Sequence, residues 1–369
     1  MKFSANTAPI VSGLDLGIIT ANITKFYQKS CIVELTIEEN SLRVNTEVSA
    51  IKSELIFKGK VSGSGNSHIF VDSLLFKNLL KTIDTEIVEF EFLEDSLVVI
   101  SGKSKFNLPQ VISGEDLELM RPTAASSTGI ISEINKDNWE FIKDQQMYAI
   151  SMSFVHPVYT NAWMGENGDA IVGDFDNGIF THSKKAQLDS TCLLTDTIIN
   201  LLTNVPEDSQ ILSIGKNYLV KVETDPYSYL CEFSPKYEED EGVGDYSSNI
   251  ILSLFEKSDN YIELDIAKLS KYLSQAELFA TTNDDVINVD VTPDLFKFYN
   301  EHVDCKIPVV NPFGDFSIVF KITLLKDLIS HMDDTNVKVS PLIQGDEVSG
   351  ILMWTNNMEA MLAGAEQEN

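Results

Sequence analysis

An amphipathic helix that ends in a pair of large apolar residues, enters a charged turn and is followed by two strand-like stretches occurs three times in this chain. Repetition on that scale limits the fold to an array of similar units, each too small to bury its apolar face alone. The first copy covers 71–102 (VDSLLFKNLLKTIDTEIVEFEFLEDSLVVISG), the second 193–224 and the third 322–355. Their apolar pairs, Leu79-Leu80, Leu201-Leu202 and Leu328-Ile329, stand 122 and 127 positions apart, close to the 123 of an even division of 369 residues. The chain therefore divides into thirds at 1–124, 125–245 and 246–369. The small-residue stretch Pro122 to Gly129 and the acidic stretch Glu238 to Gly244 read as connectors at the two boundaries.

Within the first third, TIEENSLRV (Thr36 to Val44) and EFLEDSLVV (Glu91 to Val99) align at an offset of 55. Both read as strand, acidic turn, strand, because Asn40 and Asp95 tolerate turn conformations that most residues resist. A second helix precedes each set, over Leu14 to Gln28, Lys136 to Tyr148 and Ile266 to Phe279, with Asn135 and Asp265 placed as N-caps. The expected class is α+β: three tandem domains, each with two helices packed on antiparallel sheets.

Composition narrows the function classes. The chain is 43% hydrophobic and 22% charged, with mean hydropathy −0.02, which is an ordinary globular profile. Four widely spaced cysteines (Cys31, Cys192, Cys231, Cys305) give neither a disulfide framework nor a zinc site, and the expected compartment is a reducing cytoplasm. Neither a signal peptide nor a membrane span is expected.

Catalytic constellations fail one by one. Gly102-Lys103-Ser104 ends like a phosphate loop, but the required earlier glycine is Leu97. Asp174, Asp176 and Gly178 resemble a calcium loop, yet its later positions hold Ile179 and Lys185, so a tight acidic turn is expected. Gly63-Ser64-Gly65 lacks the spacing of a nucleophile elbow, and His302 with Cys305 has no second ligand pair nearby. With no metal, cofactor or catalytic set, binding or assembly is the favoured class.

The net charge of −29 argues against a tight binder of phosphate polymers, but its distribution is uneven. Lys25 and Lys29, Lys77 and Lys81, Lys268 and Lys271, and Lys136 and Lys143 each recur at helical spacing, and Lys326 lies on a further helix. Solvated helix faces also carry lysine for no functional reason, and Asp15, Asp137, Asp144 and Asp327 share these helices. A mildly basic face on an acidic body suits a weak, sequence-indifferent contact with phosphates.

Three tandem thirds of helix plus strands, done twice, resemble the bacterial-type β sliding clamp, the processivity factor of replicative DNA polymerase. Local sequence carries the resemblance in Met1-Lys2-Phe3, in the stretch from Val71 to Pro109 ending SGKSKFNLP, in Gly114-Glu115-Asp116-Leu117, and in Ala149-Ile150-Ser151 followed by His156 to Asn161. The resemblance implies a head-to-tail dimer forming a six-domain ring around duplex DNA, with helices inward and the nine lysines named above facing the lumen. It implies a dimer interface in which Lys103, Lys105 and Phe106 meet Leu278 and Phe279, with Glu277 and Glu301 available to the lysines. It also implies that polymerase and clamp loader insert short hydrophobic peptides into a cleft between the second and third domains, here matched by Tyr159, Asn177, Gly178, Pro235, Tyr237, Met361 and Leu362.

The sequence departs from the family pattern where Asp176 to Phe180 replaces a Thr-Asp-Gly-His-Arg segment, and where Met361-Leu362-Ala363-Gly364 and an acidic tail replace the usual C-terminus. With only Arg43 and Arg121 as arginines, this divergence implies a virus-encoded clamp serving its own polymerase. Two readings of the residues stay open beside it: an acidic β-rich virion or assembly protein, and a hydrolase built on Asp174 and Asp176.

Overall fold

The computed structural model describes residues 1–17, 32–48, 51–111, 119–123, 129–150, 160–207, 209–235, 252–280, 285–345 and 347–365. Helices α1 (Thr7–Gly17), α2 (Ser73–Lys81), α3 (Lys136–Gln145), α4 (Asp196–Asn204), α5 (Ile266–Glu277) and α6 (Ile322–Ser330) alternate with antiparallel strands. The three apolar pairs of the repeat fall on α2, α4 and α6, where Leu80, Leu201, Leu202, Leu328 and Ile329 are buried.

Residues 1–136 and 197–235 form one compact unit, and 137–196 with 236–369 form another. These units follow the sheets and not the sequence thirds, because strands from different thirds pair directly. The first unit holds a five-stranded sheet in the order β5 (Lys60–Ser62), β1 (Lys2–Asn6), β7 (Ile87–Phe92), β8 (Ser96–Ser101), β9 (Ser104–Pro109). It also holds an eight-stranded sheet, β10 (Gly129–Glu133), β15 (Gln210–Ile214), β16 (Asn217–Glu223), β17 (Tyr227–Phe233), β4 (Ile51–Lys58), β3 (Ser41–Val48), β2 (Ile32–Glu38), β6 (His68–Asp72).

The second unit repeats the plan. Its eight-stranded sheet runs β14 (Cys192–Leu194), β11 (Ala162–Met164), β12 (Asp169–Asp174), β13 (Ile179–Lys184), β25 (Glu359–Ala363), β24 (Glu347–Trp354), β23 (Asn336–Gln344), β18 (Ile262–Asp265). A four-stranded sheet runs β21 (Asp304–Pro308), β20 (Leu295–Tyr299), β19 (Val286–Thr292), β22 (Phe316–Lys321). Each eight-stranded sheet is thus two four-stranded halves joined at a seam, β17 on β4 in one unit and β25 on β13 in the other. By the same rule β9 and β21 are the seam strands of the remaining two halves, and each has a neighbour on one side only.

Alternation fixes the faces. In β7 (IVEFEF) Val88, Phe90 and Phe92 turn inward while Glu89 and Glu91 stay outside. Phe3, Phe76 and Phe90 meet beneath α2, with ring centroids 6.3 and 5.9 Å from Phe90. Helix α1 lies so close to β4 that a Cβ on Gly17 would overlap the Leu55 side chain.

The first helix begins earlier than the apolar spacing predicts. It covers Thr7–Gly17, with Pro9 in its first turn where a missing N–H costs little, and most of the expected Leu14 to Gln28 lies outside the described residues. Asp265 caps α5 as expected, its Oδ1 accepting from the Lys268 N–H at 2.9 Å, and Asp72 does the same for α2 through the Leu75 N–H at 2.7 Å. The expected helix to Tyr148 ends at Gln145 and a 3₁₀ turn, Met147–Ala149, completes the segment.

The two echoing hairpins are present, but their turns differ. Glu39, not Asn40, takes the left-handed conformation at φ 50° between β2 and β3. The β7–β8 turn is longer and closes through the Leu93 N–H, which donates to Ser96 O at 3.0 Å. Gly102 at φ 59° and Lys103 form the tight β8–β9 turn, which settles the phosphate-loop lookalike as a hairpin.

Candidate functional site

Three of the lysine pairs lie on the described helices α2, α3 and α5, and several of these lysines are answered by carboxylates. On α2, Lys77 and Lys81 both reach Asp15 of α1, with Nζ to Oδ1 distances of 3.4 and 2.7 Å. Partial burial alone would raise the Asp15 carboxyl, yet Lys81 and Lys77 outweigh it and hold the group below its ordinary value. Lys77 is itself half-buried, and that burial pulls its ammonium down despite Asp15. In the other unit Lys326 of α6 binds Glu277 of α5 at 2.5 Å, and Lys268 stands 3.8 Å from Asp265. Lys143 of α3 and Lys271 of α5 are exposed. Lys136 lies on α3, and Lys25 and Lys29 lie outside the described residues.

Of the expected cleft residues, Asn177, Gly178, Met361 and Leu362 come together at one end of the β13–β25 seam. Ile179 pairs with Leu362 and Phe180 with Met361, while the Ala363 N–H donates to Gly178 O at 2.8 Å. Gly178 sits at φ 62°, and a Cβ there would stand 2.5 Å from the Ala363 Cβ, so glycine is required twice over. Asn177 Oδ1 accepts from Lys321 Nζ at 3.1 Å. Met361 and Leu362 are buried, Met361 in a cluster with Trp163, Phe180, Phe255 and Trp354. Phe175, 40% exposed and edge-on to Phe180, is the large apolar side chain that this end offers to solvent. Pro235 is a buried residue of the first unit, and Tyr159 and Tyr237 lie outside the described residues.

Of the two carboxylates open to a hydrolytic reading, Asp174 is committed to this turn and Asp176 is exposed. Asp174 Oδ1 accepts from the Asp176 and Asn177 N–H groups at 2.9 and 3.4 Å, and its Oδ2 accepts from Asn177 Nδ2 at 2.7 Å. That is an Asx-type turn. Among the described residues no group of three or more His, Cys, Asp or Glu is placed to hold a metal. No helix among them is long and apolar enough to cross a membrane.

The expected interface residues lie on the open edge at β9 and just after α5. Lys103 occupies the β8–β9 turn, and Lys105 and Phe106 lie on the unpaired edge of β9, with Phe106 38% exposed. Leu278 and Phe279 follow α5 at 80% and 49% exposure, and Phe279 stacks on the His302 ring at 5.2 Å. Glu277, expected to answer a lysine across an interface, is instead spent on Lys326 within the chain.

Sequence spacing carries no hint of a buried charged centre at the other end of the same seam. His182 of β13 lies between Glu359 of β25, Nδ1 to Oε2 2.7 Å, and Asp169 of β12, Nε2 to Oδ1 2.8 Å. Lys257 Nζ completes it, 2.5 Å from Glu359 Oε1. Burial pulls the imidazole down, but the two carboxylates prevail and raise it above its ordinary value of 6.5.

No protein-family model matches the sequence, and no curated protein matches it at a significant level. Solved structures match over the full length. The DNA polymerase III β subunit from Thermotoga maritima superposes with a TM-score of 0.79 at 11% identity, covering 99% of each chain. A putative DNA polymerase III β subunit from Eubacterium rectale gives 0.78 at 15% identity and 100% of each chain. The chain has the fold of the bacterial β sliding clamp. The DNA polymerase sliding clamp from Caulobacter crescentus agrees, at TM-score 0.76 and 13% identity over 99% of this chain and 100% of that one. In clamp-fold terms, β17 on β4 and β25 on β13 are the junctions made within a chain, and the expectation of tandem clamp domains is borne out.

Proposed function

We propose that this protein is a DNA sliding clamp: a head-to-tail homodimer whose ring of six similar domains encircles duplex DNA and tethers a replicative polymerase. The observation that carries the reading is the pair of unjoined seam strands. Four of six half-sheets are joined within the chain, and the last two end in β9 and β21, whose counterparts are paired elsewhere in the same fold. A second copy joins them reciprocally, β9 to β21 and β21 to β9, which is a heterologous contact that closes. Phe106, Leu278 and Phe279 supply apolar surface for that contact, each contributing about 1.5–3 kcal/mol on full burial.

The reading assigns topology, not chemistry. A ring threaded by duplex needs no tight phosphate contact, which reconciles the net charge of −29 with DNA as partner. The exposed lysines of the helices, Lys143 and Lys271 among them, would then face DNA with Lys25, Lys29, Lys77, Lys81, Lys136, Lys268 and Lys326. Polymerase and clamp loader would dock short hydrophobic peptides near Asn177, Gly178, Met361 and Leu362, with Phe175 as the accessible contact. The expected site of action is the cytoplasm, at the nucleoid or an infected-cell replication site.

Solution mass by light scattering, followed by retention on circular and linearised plasmid after loading, tests the reading. A mass near twice 41.1 kDa with retention on circles and loss from free ends supports it. A monomer, or an open polymer indifferent to DNA topology, overturns it in favour of an assembly protein.

A further inference from the structure

The His182 centre opens onto a cavity of about 470 Å³ lined by His182, Lys184, Lys185, Lys257, Asn357 and Glu359, among others. Both imidazole nitrogens face carboxylate oxygens at hydrogen-bond distance. An ionised carboxylate only accepts, so both nitrogens donate and His182 is an imidazolium. Two positive groups, His182 and Lys257, therefore stand against two carboxylates, Asp169 and Glu359.

Lys184 and Lys185 are left over. Among the described residues no carboxylate lies within ion-pair distance of either, and Lys185 Nζ rests 4.4 Å above the Phe141 ring. Asn356 Nδ2 is spent on Asp334 Oδ2 at 3.1 Å, and Asn357 stays exposed beside it. Lys184 and Lys185 thus leave a surplus of two positive charges, with no carboxylate at ion-pair distance among the described residues, around a cavity that also carries the exposed Asn357.

We infer that this cavity is a binding site for a phosphate group. Phosphate monoesters carry about −1.5 to −2 at neutral pH, which matches the surplus, and lysine engages phosphate as a point charge without the forked geometry that favours arginine for carboxylates.

The fold supplies its own comparison. The first unit has a cavity of about 450 Å³ at the corresponding end of the β4–β17 seam, beside a turn of the same form. The Thr224 N–H donates to Tyr227 O and the Thr355 N–H to Met358 O, both at 2.9 Å. There Lys58 and Lys60 share the lining with Asp225 and with Pro9, Ile10, Phe57 and Ile87. That cavity is mixed in charge and apolar, with no histidine held between acids.

The test uses the full chain at low salt and does not depend on ring formation. Tripolyphosphate is titrated by calorimetry, and fluorescent decanucleotides with and without a 5′-phosphate are titrated by anisotropy. Saturable binding at one site, weakened at least tenfold by Lys184→Gln/Lys185→Gln and unchanged by Lys58→Gln/Lys60→Gln, supports the site. Preference for the phosphorylated oligonucleotide assigns a nucleic-acid end as source, and binding of tripolyphosphate alone assigns a free phosphate compound. Asn357→Asp, which adds a carboxylate without touching a lysine, should weaken binding as well and guards against a misfolded double variant. Absence of saturable binding, or equal loss in both lysine pairs, overturns the inference.

Discussion

His182 Nδ1 lies 2.7 Å from Glu359 Oε2 across the seam where β13 of the middle third pairs with β25 of the last. That bond is part-buried, and the same imidazole reaches Asp169 in a fully buried bond at 2.8 Å, so one charged ring ties three strands of the sheet. The junction between two repeats is therefore held by charge as well as by the neighbouring Trp163, Phe255 and Trp354 cluster.

This centre makes stability pH-dependent in a stated sense. His182 is raised in the folded protein from 6.5, so its contribution is complete below that value and is lost as pH rises through the folded value. Glu359 is held below 4.5, burial opposing and His182 with Lys257 prevailing, so its contribution is present above 4.5 and lost as pH falls through the folded value. Removing the ring should cost about 3 kcal/mol near pH 6, because the buried Asp169 and the part-buried Glu359 lose their shared partner. Urea melts of His182→Gln and the parent should differ most near that pH and converge at high pH; a gap independent of pH would sink the assignment.

Gly178→Ala should destabilise the second unit by about 1–3 kcal/mol, since a left-handed backbone is costly for any residue with a Cβ. Here the new methyl also meets Ala363, 2.5 Å away. Chemical denaturation is the measurement, and a change below about 0.5 kcal/mol, the scale of ordinary surface substitutions, would show that the turn relaxes freely.

Repeats are legible in sequence because they are local patterns copied along the chain: the pairs at Leu79, Leu201 and Leu328 each mark a helix. The seams are not, because Tyr227 meets Phe57 and Phe180 meets Met361 only after distant strands have been brought side by side. Alternation says which side chains turn inward and is silent on which strand lies beside which. The His182 centre escapes detection for the same reason, its partner standing 177 positions away. Counting lysines along helices overstates the free positive charge, since Asp15 and Glu277 sit on the faces they would oppose. The start of the helix at Thr7–Gly17 is hidden because Pro9 and Gly13 blur the apolar period that marks such elements.

Phe106→Ala truncates an exposed side chain on the open edge of β9, and Leu278→Asp charges the exposed residue that follows α5. Either should raise the dimer dissociation constant by at least tenfold, equivalent to about 1.4 kcal/mol, while thermal melting of the separated chain moves little. Sedimentation velocity over a dilution series reads the shift. A variant that stays dimeric at every concentration places the interface elsewhere.

The choice of lysines decides whether a lumen test is informative. Lys77 is half-buried and bound to Asp15, so reversing its charge would set two carboxylates together and unfold the helix pair before any DNA contact was probed. Lys143 and Lys271 are exposed, and no ion pair to either is present among the described residues. Changing both to Glu should leave the fold and dimer intact yet reduce retention on circular DNA or processive synthesis several-fold. The salt dependence should also flatten, because every phosphate that is no longer neutralised takes about 0.9 off the slope of log affinity against log salt. Processivity measured at two salt concentrations separates the outcomes: unchanged synthesis at both would mean that these helix faces do not meet DNA.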